Sequence, residues 1–451
     1  MSWTEDEARA LAERILSFSR ADECDLTIEA EDSAHTRFAA NDVTTSGVSE
    51  NLTISIASRG KGKSGTVRIS ETDPDSLKRA VARSEELMEL APVDPEYVEG
   101  LGPQTYATIA AYHEATARAG PAERRDGVRA ALDAGRSNAL QASGYFETET
   151  RWSAIAGKRG LFAFHRATAA SYSTTLRTED GTGSGWAGFG SPRVGEIHAG
   201  ELVDRAARKA EGSAKPRELE PGRYTVILEP AALADFLGTF GFSLSARAAD
   251  EGRSYFSETG GGSRIGQKIF ADGVTLSSDP TDPRIPGRPW TGGGTGGGFQ
   301  GAAGNVWALP ARPVTWIEKG VLKNLSLDRY WAAKTKREPL PYPGSLVMEG
   351  GTGSVEELIA GAERALLVTR FWYIRTVNPQ TLQLTGLTRD GLWLVEGGKI
   401  VGPVNNFRFN ESTGNALKNV EAMSAAVSTG SMVLPAIRIR DFNFSSKSDA
   451  V

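Results

Sequence analysis

The chain has 451 residues, 51 of them basic and 56 acidic, and its formal net charge is −5 with no clustering of the basic side chains. This is a folded composition, and it argues against nucleic acid as the main partner, because a polyanion-binding surface needs concentrated positive charge. No run approaches 18 apolar residues and the acidic start lacks the features of a signal peptide, so we expect a cytoplasmic protein with no membrane partner.

The predicted elements of the first half occur in the same order twice. Helical spacing of apolar residues at 5–19, behind a capping-box pattern of Thr4 and Glu7, predicts the first helix, and 73–90 predicts the second. Alternating or β-rich runs predict strands between them at 25–30, 34–39, 52–57 and 64–69. Downstream, predicted helices at 121–134 and 197–211 enclose predicted strands at 139–149, 151–156, 160–177 and 183–189. We therefore expect an α+β fold whose N-terminal domain, 1–212, contains two duplicated α-β-β-β-β-α units.

The pattern changes after a polar stretch at 212–221 that is punctuated by Gly and Pro. A strand is predicted at 224–228 and a helix at 231–242, and from 268 onward short strands alternate with Pro- and Gly-rich turns. This predicts a mainly β C-terminal domain at 221–451. The segment 292–298 (Gly-Gly-Gly-Thr-Gly-Gly-Gly) has almost no side chain with which to pack, so we expect a mobile loop there.

Histidine and cysteine are too sparse to build a zinc site in the second half of the chain. Cys24 is the only cysteine, and the four histidines are His35, His113, His165 and His198. No histidine has a second one at the spacing that lets two imidazoles on one helix share a metal. Zinc held by N or S ligands, and Ser-His or Cys-His nucleophile pairs, are therefore excluded from the C-terminal half.

Acidic side chains offer a different kind of metal ligand. Asp250, Glu251 and Glu258 form one cluster and Asp279 and Asp282 a second, and carboxylates of this kind could hold a hard cation. Neither cluster is specific, because aspartates beside prolines are typical of turns and paired acids are typical of a solvated face.

Several segments, in order, resemble one known family. They are 36–39 (Thr-Arg-Phe-Ala) followed by Asn41, 370–375 (Arg-Phe-Trp-Tyr-Ile-Arg), 385–391 (Thr-Gly-Leu-Thr-Arg-Asp-Gly), 403–410 (Pro-Val-Asn-Asn-Phe-Arg-Phe-Asn) and 434–442 (Leu-Pro-Ala-Ile-Arg-Ile-Arg-Asp-Phe). Together they are similar to the TldD/PmbA family, the so-called modulators of DNA gyrase, and the resemblance covers nearly the whole chain.

The resemblance implies a subunit of a two-component cytoplasmic zinc peptidase. One subunit type of that family carries zinc through a His-Glu-x-x-x-His helix and a later Cys, and the other, the TldE or PmbA type, lacks both. Residues 238–243 (Gly-Thr-Phe-Gly-Phe-Ser) stand where the metal helix is expected, and no ligand or general base is present. The resemblance thus implies no catalytic residue, no metal ligand and no cofactor in this chain, with zinc in a TldD-type partner subunit.

The same resemblance suggests where this chain meets peptide or partner. We expect Arg389 and Asp390, with Thr385 and Gly386, at the substrate cavity or the subunit contact, because the paired domains would enclose unfolded or precursor peptides. Gly294 and Gly296 would allow close approach of a peptide backbone. The alternative is that 385–391 is a structural turn in which Arg389 pairs with a neighbouring acid.

Two other functions stay open on the sequence. The first is a homo-oligomeric peptide-binding or scaffold protein without hydrolytic activity, and the chain could form a homodimer when alone. The second is a metal-independent or hard-metal enzyme that uses carboxylates such as Asp279. Modulation of DNA gyrase itself has no direct support in the sequence.

Overall fold

A computed structural model describes residues 3–292 and 308–449. The N-terminal helices are α1 (Glu5–Phe18), α2 (Pro74–Leu90), α3 (Glu114–Ala117), α4 (Pro121–Ser137) and α5 (Ala199–Gly212), with a short 3-10 turn at Val194–Glu196. The N-terminal strands are β1 (Glu23–Ala39), β2 (Asp42–Gly60), β3 (Lys63–Ile69), β4 (Leu140–Gly157), β5 (Phe162–Thr178) and β6 (Ser184–Ser191).

Local signals place the ends of the first helices. The Thr4 hydroxyl accepts a hydrogen bond from the Glu7 backbone N–H at 3.2 Å, and the Glu7 carboxylate accepts one from the Thr4 N–H at 2.9 Å. These bonds satisfy donors that a helix start leaves without partners, so the predicted capping box is confirmed. In the same way Asp73 caps α2, whose first residue is Pro74.

The duplication forms one antiparallel sheet, but each unit has three strands and not the four predicted. The sheet order is β3-β2-β1-β4-β5-β6, so the first strands of the two units pair with each other. The strands predicted at 25–30 and 34–39 are the single strand β1, and those predicted at 139–149 and 151–156 are the single strand β4. The polar break at Glu31, Asp32 and Ser33 does not end β1, because its backbone there pairs with β2 on one side and β4 on the other.

Two helix pairs cover one face of this sheet. The first core lies under α1 and α2, where Leu11, Ile15 and Leu77 pack against strand residues such as Ile54. The second lies under α4 and α5 and is centred on Tyr172. On the opposite face Ile155 packs with Trp290 and Ala308 from the C-terminal half. The sheet is therefore buried in part on both faces.

The second half of the chain is mainly β, as predicted, and the α+β fold class is confirmed. Its helices are α6 (Pro230–Leu237), α7 (Phe240–Ser243), α8 (Ala246–Asp250), α9 (Arg329–Thr335), α10 (Val355–Ala360) and α11 (Thr413–Lys418). Its strands are β7 (Gly222–Leu228), β8 (Leu276–Ser278), β9 (Val314–Glu318), β10 (Val321–Leu322), β11 (Val347–Met348), β12 (Arg364–Val368), β13 (Phe371–Asn378), β14 (Gln383–Thr388), β15 (Leu392–Glu396), β16 (Lys399–Pro403), β17 (Phe407–Ser412), β18 (Val420–Met423), β19 (Val427–Ser428), β20 (Val433–Leu434) and β21 (Ile437–Lys447).

These strands form two sheets within the described ranges. The smaller has the order β10-β9-β8-β11-β20-β19. The larger has the order β13-β14-β17-β21-β7-β12-β15-β16, with β18 paired to β21. The β13-β14 hairpin therefore lies at one end of the larger sheet.

Helix α6 packs against that end of the sheet through aromatic contacts. The Phe236 ring lies 5.9 Å from Phe371, 5.8 Å from Phe409 and 5.6 Å from Phe442, measured between ring centroids. The single helix predicted at 231–242 is instead the two helices α6 and α7, which are separated at Gly238 because glycine disfavours continuation of a helix. The packing of Phe236 positions its neighbour Asp235 beside β13.

Direct bonds join the two halves of the chain. The Lys209 ammonium pairs with Glu229 at 2.7 Å, and the Trp393 indole N–H donates to the Gly212 carbonyl at 3.1 Å. The domain boundary at 212–221 stays a prediction. In the two ranges that are described, no helix has the length and apolar character needed to cross a membrane.

Candidate functional site

The predicted residues Thr385, Gly386, Arg389 and Asp390 lie on β14 and in the turn that follows it. In the hairpin, Phe371 pairs with Thr388, and the Arg389 N–H donates to the Arg370 carbonyl at 3.3 Å. The structure therefore brings these four predicted residues together beside β13. Gly294 and Gly296 lie outside the described residues.

Thr385 and Gly386 contact neighbouring strands. The Thr385 hydroxyl donates to the Phe409 carbonyl at 2.9 Å. A Cβ atom at Gly386 would lie 2.6 Å from the Phe409 ring, closer than real Cβ atoms come to their neighbours, and 3.0 Å from Ile374, which is a tight contact. A residue with a Cβ atom at this position would therefore force the Phe409 ring to shift.

Asp390 lies at the contact between the two halves of the chain. Its side chain is 2% exposed, and its Oδ1 accepts a hydrogen bond of 2.6 Å from the hydroxyl of Ser184, the first residue of β6. Its backbone carbonyl accepts a bond of 3.1 Å from the Thr369 hydroxyl. The residue adopts a φ of 56°, a left-handed conformation that aspartate tolerates better than most residues. Asp390 thus links the two halves of the chain. Its hydrogen-bond partner Ser184 was not among the site residues predicted from the sequence.

Arg370 and Arg389 lie within ion-pair distance of the other carboxylate oxygen of Asp390 but beyond hydrogen-bond distance. The Arg370 Nη1 lies 3.6 Å and the Arg389 Nε 3.9 Å from Asp390 Oδ2. Both guanidinium groups also lie near the Trp372 ring, at 5.3 and 5.2 Å from its centroid. Two like charges opposite each other on paired strands repel, so the aspartate is needed between them.

Asp235 supplies a second carboxylate to this cluster. Burial raises its pKa to about 6, an effect opposed by the positive charge of Arg370 and by the Phe371 N–H, which donates to Asp235 Oδ2 at 3.1 Å. The negative charge of Asp390 adds to the increase. Burial also lowers the pKa of Arg370 below its ordinary value. We call Asp235, Arg370, Arg389 and Asp390, with Trp372, the arginine cluster.

The arginine cluster is closed on one side and open on the other. Trp186 of β6 lies under Arg370, with the guanidinium carbon 4.0 Å from the ring centroid. Trp372 is 44% exposed and the next residue, Tyr373, is 61% exposed. A ligand could therefore reach the cluster from the side of β13, which pairs only with β14 among the described strands. Arg370 could have been placed opposite Arg389 from the register of the hairpin alone. Asp235 and Trp186 come from distant segments, and no sequence pattern indicates that they join the cluster.

The position expected for a metal helix carries no zinc ligand. Between α6 and the end of α7, residues 238–243 offer only glycine, threonine, phenylalanine and serine side chains, and Phe242 is 56% exposed. Across the two described ranges, no group of three or more His, Cys, Asp or Glu side chains is placed to hold a metal ion. This donor set does not fit zinc, which requires imidazole, thiolate or carboxylate ligands.

The acidic clusters considered as hard-metal sites have protein partners. Asp279 Oδ1 accepts hydrogen bonds from the Thr281 N–H at 2.8 Å and hydroxyl at 2.7 Å, and Asp282 pairs with Arg284 at 2.6 Å. Asp250 accepts a bond of 2.8 Å from the Trp331 indole and also pairs with Arg337. Glu251 pairs with Arg247 and Arg253, and Glu258 accepts a bond from Gln267. These contacts are those of turns and surface ion pairs.

Comparison with known proteins gives one family and one fold. Residues 221–446 match the family described as the PmbA/TldA metallopeptidase C-terminal domain. The chain is similar in structure to TldE from Thermococcus kodakarensis, with 17% identity, a TM-score of 0.83, and coverage of 97% of this chain and 100% of the other.

Two further solved structures are as similar. One is a candidate modulator of a DNA gyrase from Thermotoga maritima, with 16% identity, a TM-score of 0.83, and coverage of 97% of this chain and 100% of the other. The second is a candidate modulator of DNA gyrase from Bacteroides thetaiotaomicron, with 16% identity, a TM-score of 0.83, and coverage of 98% of this chain and 99% of the other. No curated protein matches the sequence.

Proposed function

The chain belongs to the PmbA/TldD family, and from this premise we propose that it is the metal-free, non-catalytic subunit of a two-component zinc metallopeptidase. One observation carries the proposal. The matched domain, 221–446, belongs to a metallopeptidase family yet contains neither histidine nor cysteine. This domain therefore offers no imidazole or thiolate ligand for zinc. In the proposal, the zinc is bound by a second subunit of the TldD type.

The partner and this chain would have separate tasks. Zinc in the partner would polarise the scissile carbonyl and activate a water molecule. This chain would form part of the wall of the cavity and hold the peptide. The outer edge of β13 suits that role, because an extended peptide can add to a strand edge through main-chain hydrogen bonds. We propose unfolded or precursor peptides as substrates and, from the family resemblance, a cytoplasmic location.

The likeness to candidate gyrase modulators concerns the fold, because their sequences are only 16% identical to this one. The charge of the chain gives no support for a nucleic-acid surface. Proteolysis therefore has the better physical basis.

The proposal is tested by native mass spectrometry of the protein purified from its own host, since mass reports both partner and metal. We expect a heteromer in which zinc dissociates with the other subunit. Peptidase activity on an unfolded protein should require both subunits, should be lost on chelation and should return with zinc. As a control, each subunit is assayed alone, which shows whether either of them has peptidase activity without the other.

Two outcomes would contradict the proposal. A zinc-loaded and active assembly of this chain alone would refute it directly. A stable homodimer that gains no activity with any zinc-bearing relative would instead favour a peptide-binding or scaffold protein without hydrolysis.

A further inference from the structure

We propose that Arg370 and Arg389 bind a carboxylate group of an extended peptide that lies along β13. That the ligand is a peptide rests on the proposed function, whereas the carboxylate site rests on the contacts of the arginine cluster. The inference gives this chain a specific role in recognition in addition to forming the cavity wall.

The first step is that both guanidinium groups have hydrogen-bonding capacity that is not used. Within the described ranges, neither the Arg370 nor the Arg389 side chain donates a hydrogen bond, and the Nε atom of each is buried without a hydrogen-bond partner. A guanidinium carries five N–H donors, and leaving buried donors without acceptors is costly. The two side chains are partly exposed, so an acceptor that reaches their Nη groups would be stabilised there.

The second step is that the nearby aspartates balance charge without supplying those bonds. Asp390 Oδ1 is engaged by Ser184, and its Oδ2 stays 3.6 Å or more from both arginines. Asp235 Oδ2 accepts from the Phe371 N–H. The aspartates thus hold two cations opposite each other on the hairpin while the N–H donors remain available.

The third step concerns the shape of the ligand. Trp186 stacks against Arg370, and Trp372 lies beside both guanidinium groups. Stacking on an aromatic face leaves the in-plane N–H groups of arginine available, and their fork matches the two oxygens of a carboxylate. The side chains of Arg370 and Arg389 are 18% and 27% exposed, so the site is partly desolvated but accessible.

The fourth step links the site to the strand edge. Arg370 immediately precedes β13, so a peptide paired with β13 would bring one of its own residues next to the arginine cluster. The carboxylate could be the C-terminus of the peptide or an acidic side chain. Both have the same chemistry, and the experiment distinguishes them.

The test measures binding to this chain alone, by fluorescence anisotropy of an uncharged Val/Thr heptapeptide with an N-terminal fluorescein. Three forms of the peptide are compared: one with a free C-terminus, one with a C-terminal amide, and one amidated with a single internal Glu. We expect the free-acid or the Glu form to bind about ten- to hundredfold more tightly than the neutral amide, because a charge-assisted pair is lost in the latter.

Variants locate the effect. Arg389→Gln should abolish the preference for the carboxylate form, and Arg389→Lys should restore it only in part, since lysine lacks the planar fork. Arg364→Gln is the matched control, because Arg364 is an exposed arginine on β12 of the same sheet, away from β13 and the arginine cluster, and its guanidinium lies 3.5 Å from the Glu396 carboxylate. Circular dichroism of each variant establishes that it folds.

Three results would overturn the inference: equal binding of acid and amide peptides, no binding of any form, or an unchanged carboxylate preference in a folded Arg389→Gln variant. None of them depends on the zinc-bearing subunit. A failure of this inference is thus distinguishable from a failure of the proposed function, which the heteromer and its metal content decide.

Discussion

The buried carboxylate of Asp235 should make the stability of the protein depend on pH, and Asp235→Asn should remove the part of that dependence that comes from this carboxylate. Burial raises the pKa of Asp235 from 3.8 to about 6, against the opposing effect of Arg370. At about 1.36 kcal/mol per pKa unit, the difference between these values corresponds to about 3 kcal/mol. The substitution keeps an oxygen that can accept from the Phe371 N–H, so it changes the charge with little change in shape.

The sign follows from proton linkage. Because the pKa is higher in the folded state, the unfolded chain releases this proton first as the pH rises. Protonated Asp235 therefore contributes its full amount to the unfolding free energy of the wild-type protein below about pH 3.8, and this contribution is lost as the pH rises through about 6. Between pH 4.5 and 7.5 the loss is about 2 kcal/mol of unfolding free energy.

Urea unfolding at pH 4.5, 6.0 and 7.5, followed by tryptophan fluorescence, measures the effect. The difference in stability between Asp235→Asn and wild type should grow by about 2 kcal/mol in favour of the variant over that range. Asp204→Asn, which removes an exposed aspartate on α5, controls for the loss of one surface charge. Parallel pH profiles for wild type and Asp235→Asn would refute the assignment of a buried, titrating carboxylate at the arginine cluster.

Three other substitutions test packing, hydrogen bonding and charge, two of them at the site and the third, Glu149→Gln, on β4 of the N-terminal sheet. Gly386→Ala should lower the unfolding free energy by about 1–3 kcal/mol, since its Cβ would overlap the Phe409 ring. Gly200→Ala, where nothing lies within 4 Å, is its control, and equal melting temperatures for the two variants would contradict the overlap. Ser184→Ala should cost about 1.5–3 kcal/mol, because it removes the hydrogen bond to the buried carboxylate of Asp390. Unchanged thermal unfolding would show that this bond does not join the two halves. Burial raises the pKa of Glu149 to about 7, so the wild type loses stability as the pH rises through that value. Glu149→Gln should therefore flatten the pH dependence of the unfolding free energy near neutrality. Melting curves at pH 5.5 and 8.5 measure this, and an equal loss in the variant would refute it.

The four long N-terminal helices and the fold class were predictable from the sequence, because the signals of those helices are local. The capping box of Thr4 and Glu7, and the Asp73-Pro74 start of α2, lie within a few residues of the helices they define. The predicted strand count of each unit was wrong, because a strand that is paired on both sides tolerates polar residues that interrupt its apolar pattern in the sequence. Continuity of such a strand depends on its neighbours in the sheet.

The sequence by itself determined the family and the absence of histidine and cysteine from the matched domain, because residue identity does not depend on folding. It also placed Arg389 and Asp390 among the candidate site residues. Only the tertiary structure decided that Asp390 bonds Ser184 of another sheet and that Asp235 is buried against Arg370. These contacts join segments separated by more than a hundred residues, so sheet order and helix packing bring them together and no local pattern encodes them.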